Sequence, residues 1–228
     1  MARPAAAEPS RERPYAGKTL AARRSEQHER ILLAARDVFA ARGYAGAGIE
    51  EIVARARVSR TTFYVFFENK EECLLAVFRF GMERIGAALL ETVAATAAPD
   101  FDQTERVRAE VRAVGAAFAA DPAMARIVLI GIVGATPAAE QARAQARHVG
   151  AKVIEGQLEQ YPYWAGCSAR QRQIASLAAM AAIGEPLSDL VAAGRLEEWE
   201  TLVDPISEFV GRALIRSGRS KRGSTARR

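Results

Sequence analysis

The sequence has little of the chemistry that most enzymes and metal sites need. Its 228 residues include 2 histidines and 2 cysteines. His148 has no partner at metal-ligand spacing, so we expect it to be structural, and Cys73 and Cys167 lie far apart without a CxxC pattern. A phosphate-binding glycine loop is missing as well. We therefore expect a protein that is not an enzyme and uses no metal or cofactor.

Long apolar runs and an export signal are also scarce. The longest uncharged apolar run near the middle, 127–139, has thirteen residues and contains Pro137, whereas a bilayer span needs roughly 20 residues. Residues 1–24 scatter proline and glutamate where a signal peptide has its apolar segment. Two unpaired thiols suit a reducing compartment. We expect a cytoplasmic protein with no membrane span.

Positive charge is concentrated at the two ends of the chain. The net charge is +5, yet 216–228 carry six basic and no acidic residues, and 76–215 sum to −4. We expect 1–24 to be a disordered basic arm and 217–228 a disordered basic tail. Arg23 and Arg24 either reach a phosphate or a minor groove, or belong to a solvated arm. Nucleic acid should therefore meet the N-terminal domain and the tails.

The stretch 48–70 has the pattern of two helices joined by a tight turn. Apolar residues of the first helix recur at the spacing of one face, at Ile49, Ile52, Val53 and Ala56. Arg57 and Val58 interrupt this spacing, and Ser59 offers a side-chain oxygen to open a second helix. The pattern predicts a helix-turn-helix.

The second helix separates a core face from a polar face. Phe63, Phe66 and Phe67 share one face and can bury against the preceding helices. The opposite face carries Arg60, Thr61, Tyr64 and Val65, with Thr62 at its flank. A short helix that presents a guanidinium, hydroxyls and a phenol fits a major groove.

A third helix is predicted to start at Asn69. Asn69 as N-cap and Glu72 three residues later form a capping box. Lys70 then lies at the positive end of that helix, where its ammonium group suits a DNA phosphate.

Residues 30–75 resemble the DNA-binding domain of the TetR family of bacterial transcriptional repressors. The matching residues are Ala34, Ala35, Phe39, Arg42, Gly43, Tyr44, Ile52, Ala54, Val58, Ser59, Thr62, Tyr64, Phe67 and Lys70. Ala47 and Gly48 depart from the family's Thr or Ser, Arg57 from its turn glycine and Phe66 from a frequent His or Tyr that donates to phosphate. The candidate DNA-binding residues are Gly48, Arg60, Thr61, Thr62, Tyr64, Phe66 and Lys70.

The remaining chain predicts helices only. One long helix should run from Asn69 to about Ala95, and others are predicted over 102–120, 122–134, 137–160, 168–193 and 197–216. Asp121-Pro122 and Thr136-Pro137 each place an N-cap before a proline. We expect an all-α protein with a three-helix DNA-binding domain over 25–70. A long helix would join it to a ligand-binding and dimerisation domain over 71–216.

Two late helices carry more apolar surface than a small monomer needs. The last has a stripe of Trp199, Leu202, Val203, Ile206, Phe209, Val210 and Leu214, and the one before it a face of Ile174, Leu177, Ala178, Ala181 and Gly184. The resemblance implies that these helices pair with those of a second chain in a four-helix dimer interface. The alternative is that both stripes close the core of one chain.

Two groups of residues are candidates for a ligand pocket. Glu185 precedes Pro186 inside an apolar helix, and a carboxylate there is costly unless it is paired or exposed. It either faces an internal pocket and binds a cationic or hydrogen-bonding ligand, or faces solvent at a kink. Tyr161, Tyr163 and Trp164 either line a pocket entrance or pack a helix junction.

These features indicate a sequence-specific transcriptional regulator. The resemblance implies a homodimer that binds a near-palindromic operator in double-stranded DNA and is a repressor relieved by a small-molecule effector. From its chemistry, we expect Arg60 to contact a base, most naturally guanine. The alternative is a non-specific nucleoid-type protein that binds DNA through its basic tails.

Overall fold

The computed structural model describes residues 19–98 and 102–215. The predicted basic tail and most of the predicted arm lie outside the described residues. The described helices are α1 Leu20–Gly46, α2 Ile49–Ala56, α3 Arg60–Phe66, α4 Lys70–Ala95, α5 Gln103–Ala119, α6 Pro122–Arg126, α7 Pro137–Leu158, α8 Pro162–Ala165, α9 Ala169–Ala193 and α10 Val203–Leu214. A π-helical turn, Ile127–Gly131, follows α6, and a 3₁₀ helix, Leu196–Leu202, precedes α10. The fold is therefore all-α over these residues, as predicted.

Helix α1 begins at Leu20, inside the stretch 1–24 that we expected to be an arm, and Thr19 caps it. The Thr19 hydroxyl accepts a hydrogen bond from the Ala22 N–H at 3.1 Å. At the other end Gly43 has a φ of 67°, which breaks the regular helix as a glycine can. The backbone then turns into α2.

The turn between α2 and α3 adopts the strained conformation that the sequence suggested. Arg57 caps α2 with φ 53° and ψ 47°, the left-handed region that costs a non-glycine residue roughly 1 kcal/mol. Arg30 of α1 satisfies the free carbonyls at this helix end, since its guanidinium donates to the oxygens of Ala56 at 2.5 Å and Arg57 at 2.8 Å. Helix α1 thus holds the end of α2 in place.

Helix α4 connects the N-terminal helices to the rest of the protein. Asn69 caps it, since its side chain accepts from the Glu72 N–H at 2.9 Å. The predicted capping box is only half formed, because the Glu72 carboxylate accepts from the N–H of Glu68 instead of Asn69. Further along, Gly81 lies so close to Met124 of α6 that a methyl group there would come within 2.5 Å of the sulfur atom. This close approach packs α4 directly against α6.

The C-terminal helices follow the predicted caps closely. Asp121 accepts from the Met124 N–H and Thr136 from the Ala139 N–H, each at 3.0 Å, so both proline-preceding caps are confirmed. The segment predicted as a helix over 122–134 instead changes to a π-helical turn at Ile127, which is buried. The chain bends by 101° between α5 and this segment. The predicted last helix also divides, because 196–202 forms a 3₁₀ helix.

The hydrophobic core crosses from the N-terminal to the C-terminal helices. One cluster extends from Ile31 and Phe39 of α1 through Phe78 of α4 to Ile127 and Leu187. A second cluster is formed by α5, α7, α9 and α10 around residues such as Val111 and Val203. Since the first cluster is continuous, α1 cannot move far without disturbing α4 and α6.

Helix α9 is apolar over most of its length. Within the described ranges it is long and apolar enough to cross a membrane, with a mean hydropathy of 1.4 over an 18-residue window of which 28% is buried. One side packs against α7 and contributes Ser176 and Leu187 to the interior. Its other side is exposed and carries Ile174, Ala178 and Ala181, followed by Glu185 and Asp189.

Candidate nucleic-acid interface

The buried face of helix α3 is held in place by aromatic rings. Phe63 is 0% exposed and Phe67, which caps the helix C-terminus, is 3% exposed. Their ring centroids lie 5.4 Å apart. At the N-terminus the Ser59 hydroxyl accepts from the Thr62 N–H at 3.0 Å, as predicted. The helix is therefore anchored at both ends, and its other face is set relative to the core.

The outer face of α3, formed by Arg60, Thr61, Tyr64 and Val65, is exposed. The side chain of Arg60 is 60% exposed, and Tyr64 is 45% exposed. Thr61 and Val65 are exposed beside them. Because the buried phenylalanines hold the helix, these four side chains project from a rigid support, as a surface that contacts base edges requires.

Arg60 is held between a carboxylate and a phenol. Its Nη1 lies 2.6 Å from Oε1 of Glu50, which belongs to the first turn of α2. Its Nη2 lies 3.3 Å from the Tyr64 hydroxyl, and the guanidinium lies 5.7 Å from the Tyr64 ring centre. The hydrogen bond with Tyr64 and the charge of Glu50 raise the pKa of Arg60. Sequence reasoning missed Glu50, whose partner is ten residues away in the next helix.

Thr62 and Phe66 are half-buried, unlike the exposed side chains on the outer face of α3. Thr62 is half-buried, and its hydroxyl lies 2.8 Å from that of Ser59, so it supports the helix cap. Phe66 turns toward α1, where its ring lies 5.4 Å from His28 and 5.7 Å from the guanidinium of Arg24. Phe66 therefore packs against α1 and helps to hold Arg24 close to α3, and its assignment to the DNA surface stays a prediction.

Lys70 does not simply project toward solvent from the start of α4. Its Nζ donates to the carbonyl oxygens of Tyr44 at 2.7 Å and Ala47 at 2.9 Å, and it lies 4.5 Å from the Tyr44 ring centre. These bonds tie α4 to the turn between α1 and α2. An ammonium group has three donors, so one N–H remains for a phosphate.

Gly48 caps α2 with its backbone alone. Its backbone is extended, with a φ of −108° and a ψ of 144°, and its carbonyl accepts from the Ile52 N–H at 3.2 Å. As a glycine it has no side chain that could cap the helix. Glu50 and Glu51 occupy the first turn instead, where carboxylates favour the positive end of the helix dipole. The hydroxyl that the family pattern has at this position is thus replaced by acidic side chains nearby.

An ion-pair network on α1, formed by Arg36, Asp37, Arg55 and Asp121, links distant parts of the chain. Asp37 accepts from Arg55 of α2 at 2.6 Å and from Arg36 at 2.7 Å. Arg36 also donates to Asp121, the cap of α6, at 2.8 Å. Burial opposes ionisation of Asp37, but the hydrogen bonds from Arg55 and Arg36 outweigh it and lower its pKa. The network runs without a break from α2 to α6.

The residues predicted to line a ligand pocket lie in different places. Glu185 is exposed, so its placement in an internal pocket is wrong and it faces solvent on α9. Tyr163 is exposed too. Trp164 is buried, and its indole N–H donates to the Leu214 carbonyl at 2.7 Å, which fastens the end of α10. Trp164 is therefore a packing residue.

Tyr161 does lie within a polar cluster of the C-terminal helices. It is half-buried close to Arg106 and Glu110 of α5, and burial raises its pKa. Glu110 accepts from the amide of Gln157 at 2.7 Å. Burial raises the pKa of Glu110, and the hydrogen bond from Gln157 and the charge of Arg106 offset this only in part. The cluster joins α5 to α7 and was missed because its members are far apart in sequence.

A small apolar cavity lies between α5, α9 and the 3₁₀ helix. It measures about 10 Å³ and is lined by Val111, Gly115, Ile183, Leu187, Trp199, Leu202, Val203 and Ile206. This is hardly room for one water molecule. The indole of Trp199 lies directly on the backbone of Gly115 and fills the space beside it.

The predicted dimer residues divide between the core and the surface. Ile206 and Val210 are 8% and 5% exposed in the core of this chain, so their assignment to a dimer interface is corrected. Trp199, Leu202 and Leu177 are half-buried. The residues that face outward are Ile174, Ala181 and Phe209. The amphipathic stripe of α10 therefore serves this chain's own core first.

The N-terminal helices match a known family of bacterial regulators. Residues 31–77 match the model of the family described as "Bacterial regulatory proteins, tetR family". The HTH-type transcriptional activator FasR from Mycolicibacterium smegmatis is 36% identical over 90 residues. That match covers 40% of this chain and 39% of FasR, so the chain spans about two fifths of the length of the curated relative that it matches.

Solved structures share the fold over most of the chain. A TetR-family regulator from Syntrophomonas wolfei has a TM-score of 0.69 at 19% identity, covering 84% of this chain and 96% of that one. The transcriptional regulator FadR from Bacillus subtilis, solved with stearoyl-CoA, has a TM-score of 0.68 at 18% identity, with coverages of 80% and 97%. At these identities the likeness concerns the arrangement of the helices.

Proposed function

We propose that this chain, whose residues 31–77 match the model of the TetR family of bacterial regulators, regulates transcription by binding a specific DNA operator as a homodimer. The observation that carries the proposal is the outer face of α3. Phe63 holds the helix from behind, while Arg60 and Tyr64 stay exposed on the other side. A helix so placed enters a major groove, where a guanidinium most naturally contacts guanine. We expect the protein to bind DNA in the cytoplasm, at the nucleoid.

The dimer would form through the outward faces of α9 and α10. Ile174 is 53% exposed on α9 and Phe209 63% exposed on α10. Phe209 lines a shallow, open depression together with Pro205 and Ala213. Two large apolar side chains exposed in this way favour burial by a partner, and a twofold axis pairs each face with its copy. Two α3 helices would then enter major grooves about 34 to 36 Å apart, so the operator should be a near-palindrome.

The effector is proposed to be an apolar or amphipathic small molecule. The cavity beside Trp199 is lined by apolar side chains, some of them on α5, and the polar cluster of Glu110, Gln157 and Tyr161 joins that helix through Glu110. At about 10 Å³ the cavity is too small for an effector, since ligand sites usually measure about 300 to 1,000 Å³. Binding must therefore displace Trp199 or spread α5 from α9. Since FadR was solved with stearoyl-CoA, acyl-CoA thioesters and free fatty acids are the first compounds to screen.

Effector binding would release DNA through α6 and α4. Helix α6 packs against both α1 and α4, and Met124 lies against Gly81. A shift of α6 would tilt α4 and change the separation of the two α3 helices. A coupling free energy of about 1 to 3 kcal/mol would suffice for induction.

The sign of regulation is proposed to be repression, with the operator overlapping a promoter. FasR is described as an activator, and the same kind of DNA-binding domain supports either sign according to where it binds. A promoter fusion measured with and without the gene for this protein tests the sign. Expression that rises when the gene is removed supports repression, and expression that falls contradicts it.

The DNA-binding proposal is tested by fluorescence anisotropy. The full chain is titrated into labelled duplex from the region upstream of its own coding sequence and into a scrambled duplex at the same salt concentration. Saturable preference for the natural duplex, at two chains per site, is the expected result. A pool of random duplexes, taken through rounds of selection with the protein, covers an operator that lies elsewhere. If selection enriches no sequence, the protein binds DNA non-specifically and the proposal is wrong.

A further inference from the structure

A carboxylate stands on the surface that is proposed to meet DNA. The side chain of Glu50 is 69% exposed, and its Oε1 lies 2.6 Å from Nη1 of Arg60. An ion pair as exposed as this contributes little to folding stability. Yet a negative charge beside a major groove is repelled by phosphates and weakens binding to every DNA sequence. The position of Glu50 would be explained if its carboxylate contacted the bases of a particular DNA sequence.

The geometry leaves Arg60 free to bind DNA while the ion pair persists. A guanidinium has five N–H donors, and Arg60 uses one toward Glu50 and one toward the Tyr64 hydroxyl. Three donors remain, which is enough for the two bonds that an arginine makes to guanine O6 and N7. Glu50 and Tyr64 thus hold the guanidinium from two sides and lower the entropy that it loses on binding a base.

The Glu50 carboxylate also has unused hydrogen-bond acceptor sites. A carboxylate has about four lone-pair sites, and the bond to Arg60 uses one of them. In the major groove a carboxylate accepts from the N4 amino group of cytosine, which lies beside the O6 of its guanine partner. Acceptor and donor side chains 2.6 Å apart therefore match the neighbouring donor and acceptor of G·C base pairs.

We propose that Glu50 determines the DNA sequence that the protein selects. It positions Arg60 on guanine and accepts from the cytosine amino group of the same or the next base pair. On DNA that does not offer this contact, the charge of Glu50 weakens binding. The proposal rests on the proposed function, since it needs α3 to enter a major groove. The observation beyond that function is the contact between Glu50 of α2 and Arg60 of α3.

The test compares Glu50→Gln with Glu51→Gln. Glu51 lies in the same turn and pairs with Arg42 at 3.7 Å, so both variants remove one negative charge from one place. Wild type and both variants are taken through the same selection from random duplexes. Anisotropy then gives each protein's affinity for the duplex selected by wild type and for a scrambled duplex.

For Glu50→Gln we expect a loss of discrimination. Non-specific affinity should rise, and the ratio of specific to non-specific affinity should fall about tenfold, as the loss of one good base contact implies. The selected base should shift from cytosine toward adenine, because glutamine pairs with adenine N6 and N7. Glu51→Gln should raise both affinities alike and leave the ratio unchanged. Glu50→Asp, which keeps the charge but withdraws the carboxylate, should lose the cytosine preference while keeping weak non-specific binding.

Each contrary result has a separate meaning. If Glu50→Gln selects the wild-type sequence with the wild-type ratio, or if Glu51→Gln lowers the ratio equally, Glu50 contributes only general charge and the inference is wrong. If wild type itself enriches no sequence, the proposed function fails and the inference fails with it. Helicity and thermal midpoint within experimental error of wild type establish that the variants are folded.

Discussion

The guanidinium of Arg36 donates to the carboxylate of Asp121 at 2.8 Å, which joins α1 to the cap of α6 across 85 positions of sequence. Asp121 uses its other oxygen to accept from the Met124 N–H. One side chain therefore both starts α6 and fastens it to the helix that supports the DNA-binding surface. Any shift of α6 must either pull Arg36 along or break this ion pair.

Asp121→Asn separates these two roles. Asparagine is as good an N-cap as aspartate, so α6 should persist, while the half-buried Arg36 loses a charged partner. We expect a loss of about 1.5 to 3 kcal/mol in the free energy of unfolding, typical of a hydrogen bond to a charged group. The measurement is urea unfolding followed by circular dichroism, which reports all helices, and by tryptophan fluorescence. Trp164 and Trp199 both lie among the C-terminal helices, so they report that part alone.

If Arg36 and Asp121 couple the two parts, the two transitions should coincide in wild type and separate in Asp121→Asn. The matched control is Glu105→Gln, which breaks an exposed ion pair with Arg108 without crossing between the parts. Equal behaviour of the two variants would contradict the coupling role.

Glu110→Gln should stabilise the protein at neutral pH. Burial raises the pKa of Glu110, so its charged form is less favourable in the folded than in the unfolded chain. The free energy of unfolding therefore falls as the pH rises from the unfolded pKa, near 4.3, through the higher folded value. Glutamine keeps the oxygen that accepts from Gln157 and removes the charge. We expect a higher urea midpoint than wild type at pH 7 and no difference below about pH 4. A variant less stable than wild type at pH 7 would mean that the charge of Arg106 outweighs burial.

The predictability of these features depends on how far apart their members lie in sequence. The caps formed by Ser59 and Thr136 were predicted correctly because each bond spans three residues. The contact between Arg36 and Asp121 was not, since nothing in either local pattern names the other. The sequence pattern around a charged residue on a helix is the same whether its side chain faces solvent or forms an ion pair with another domain.

The C-terminal stripe shows a second limit of sequence patterns. Apolar spacing on α10 marks which face is buried, yet it does not say whether the burial occurs within one chain or between two. Ile206 and Val210 pack into the core of this chain, while Phe209 of the same helix faces outward. Only the packing against α5 distinguishes them.

Arg60→Ala and Lys70→Ala should affect DNA binding in different ways. Arg60 lies on the outer face of α3, so its loss should relax the preference at particular base pairs. Lys70→Ala should weaken binding to all sequences and reduce the slope of log affinity against log salt by up to about 1. It should also lower the thermal midpoint, because the carbonyls of Tyr44 and Ala47 lose their donor. Selection profiles, salt titrations and melting curves of both variants check this, and identical DNA-binding profiles would refute the assignment.

Gly115→Ala tests how tightly the C-terminal core is closed. A methyl group at Gly115 would overlap the indole of Trp199, which is rigid and held among α5, α9 and the 3₁₀ helix. Overpacking of this kind costs about 1 to 3 kcal/mol, measured as a lower urea midpoint with a changed tryptophan emission. Gly86→Ala is the matched control, because a methyl group there meets nothing within 4 Å on the helix α4. Replacing a mid-helix glycine by alanine should stabilise the protein by up to about 1 kcal/mol. If Gly115→Ala were as stable as Gly86→Ala, the indole would move aside at little cost. The closed cavity would then be no barrier to an effector.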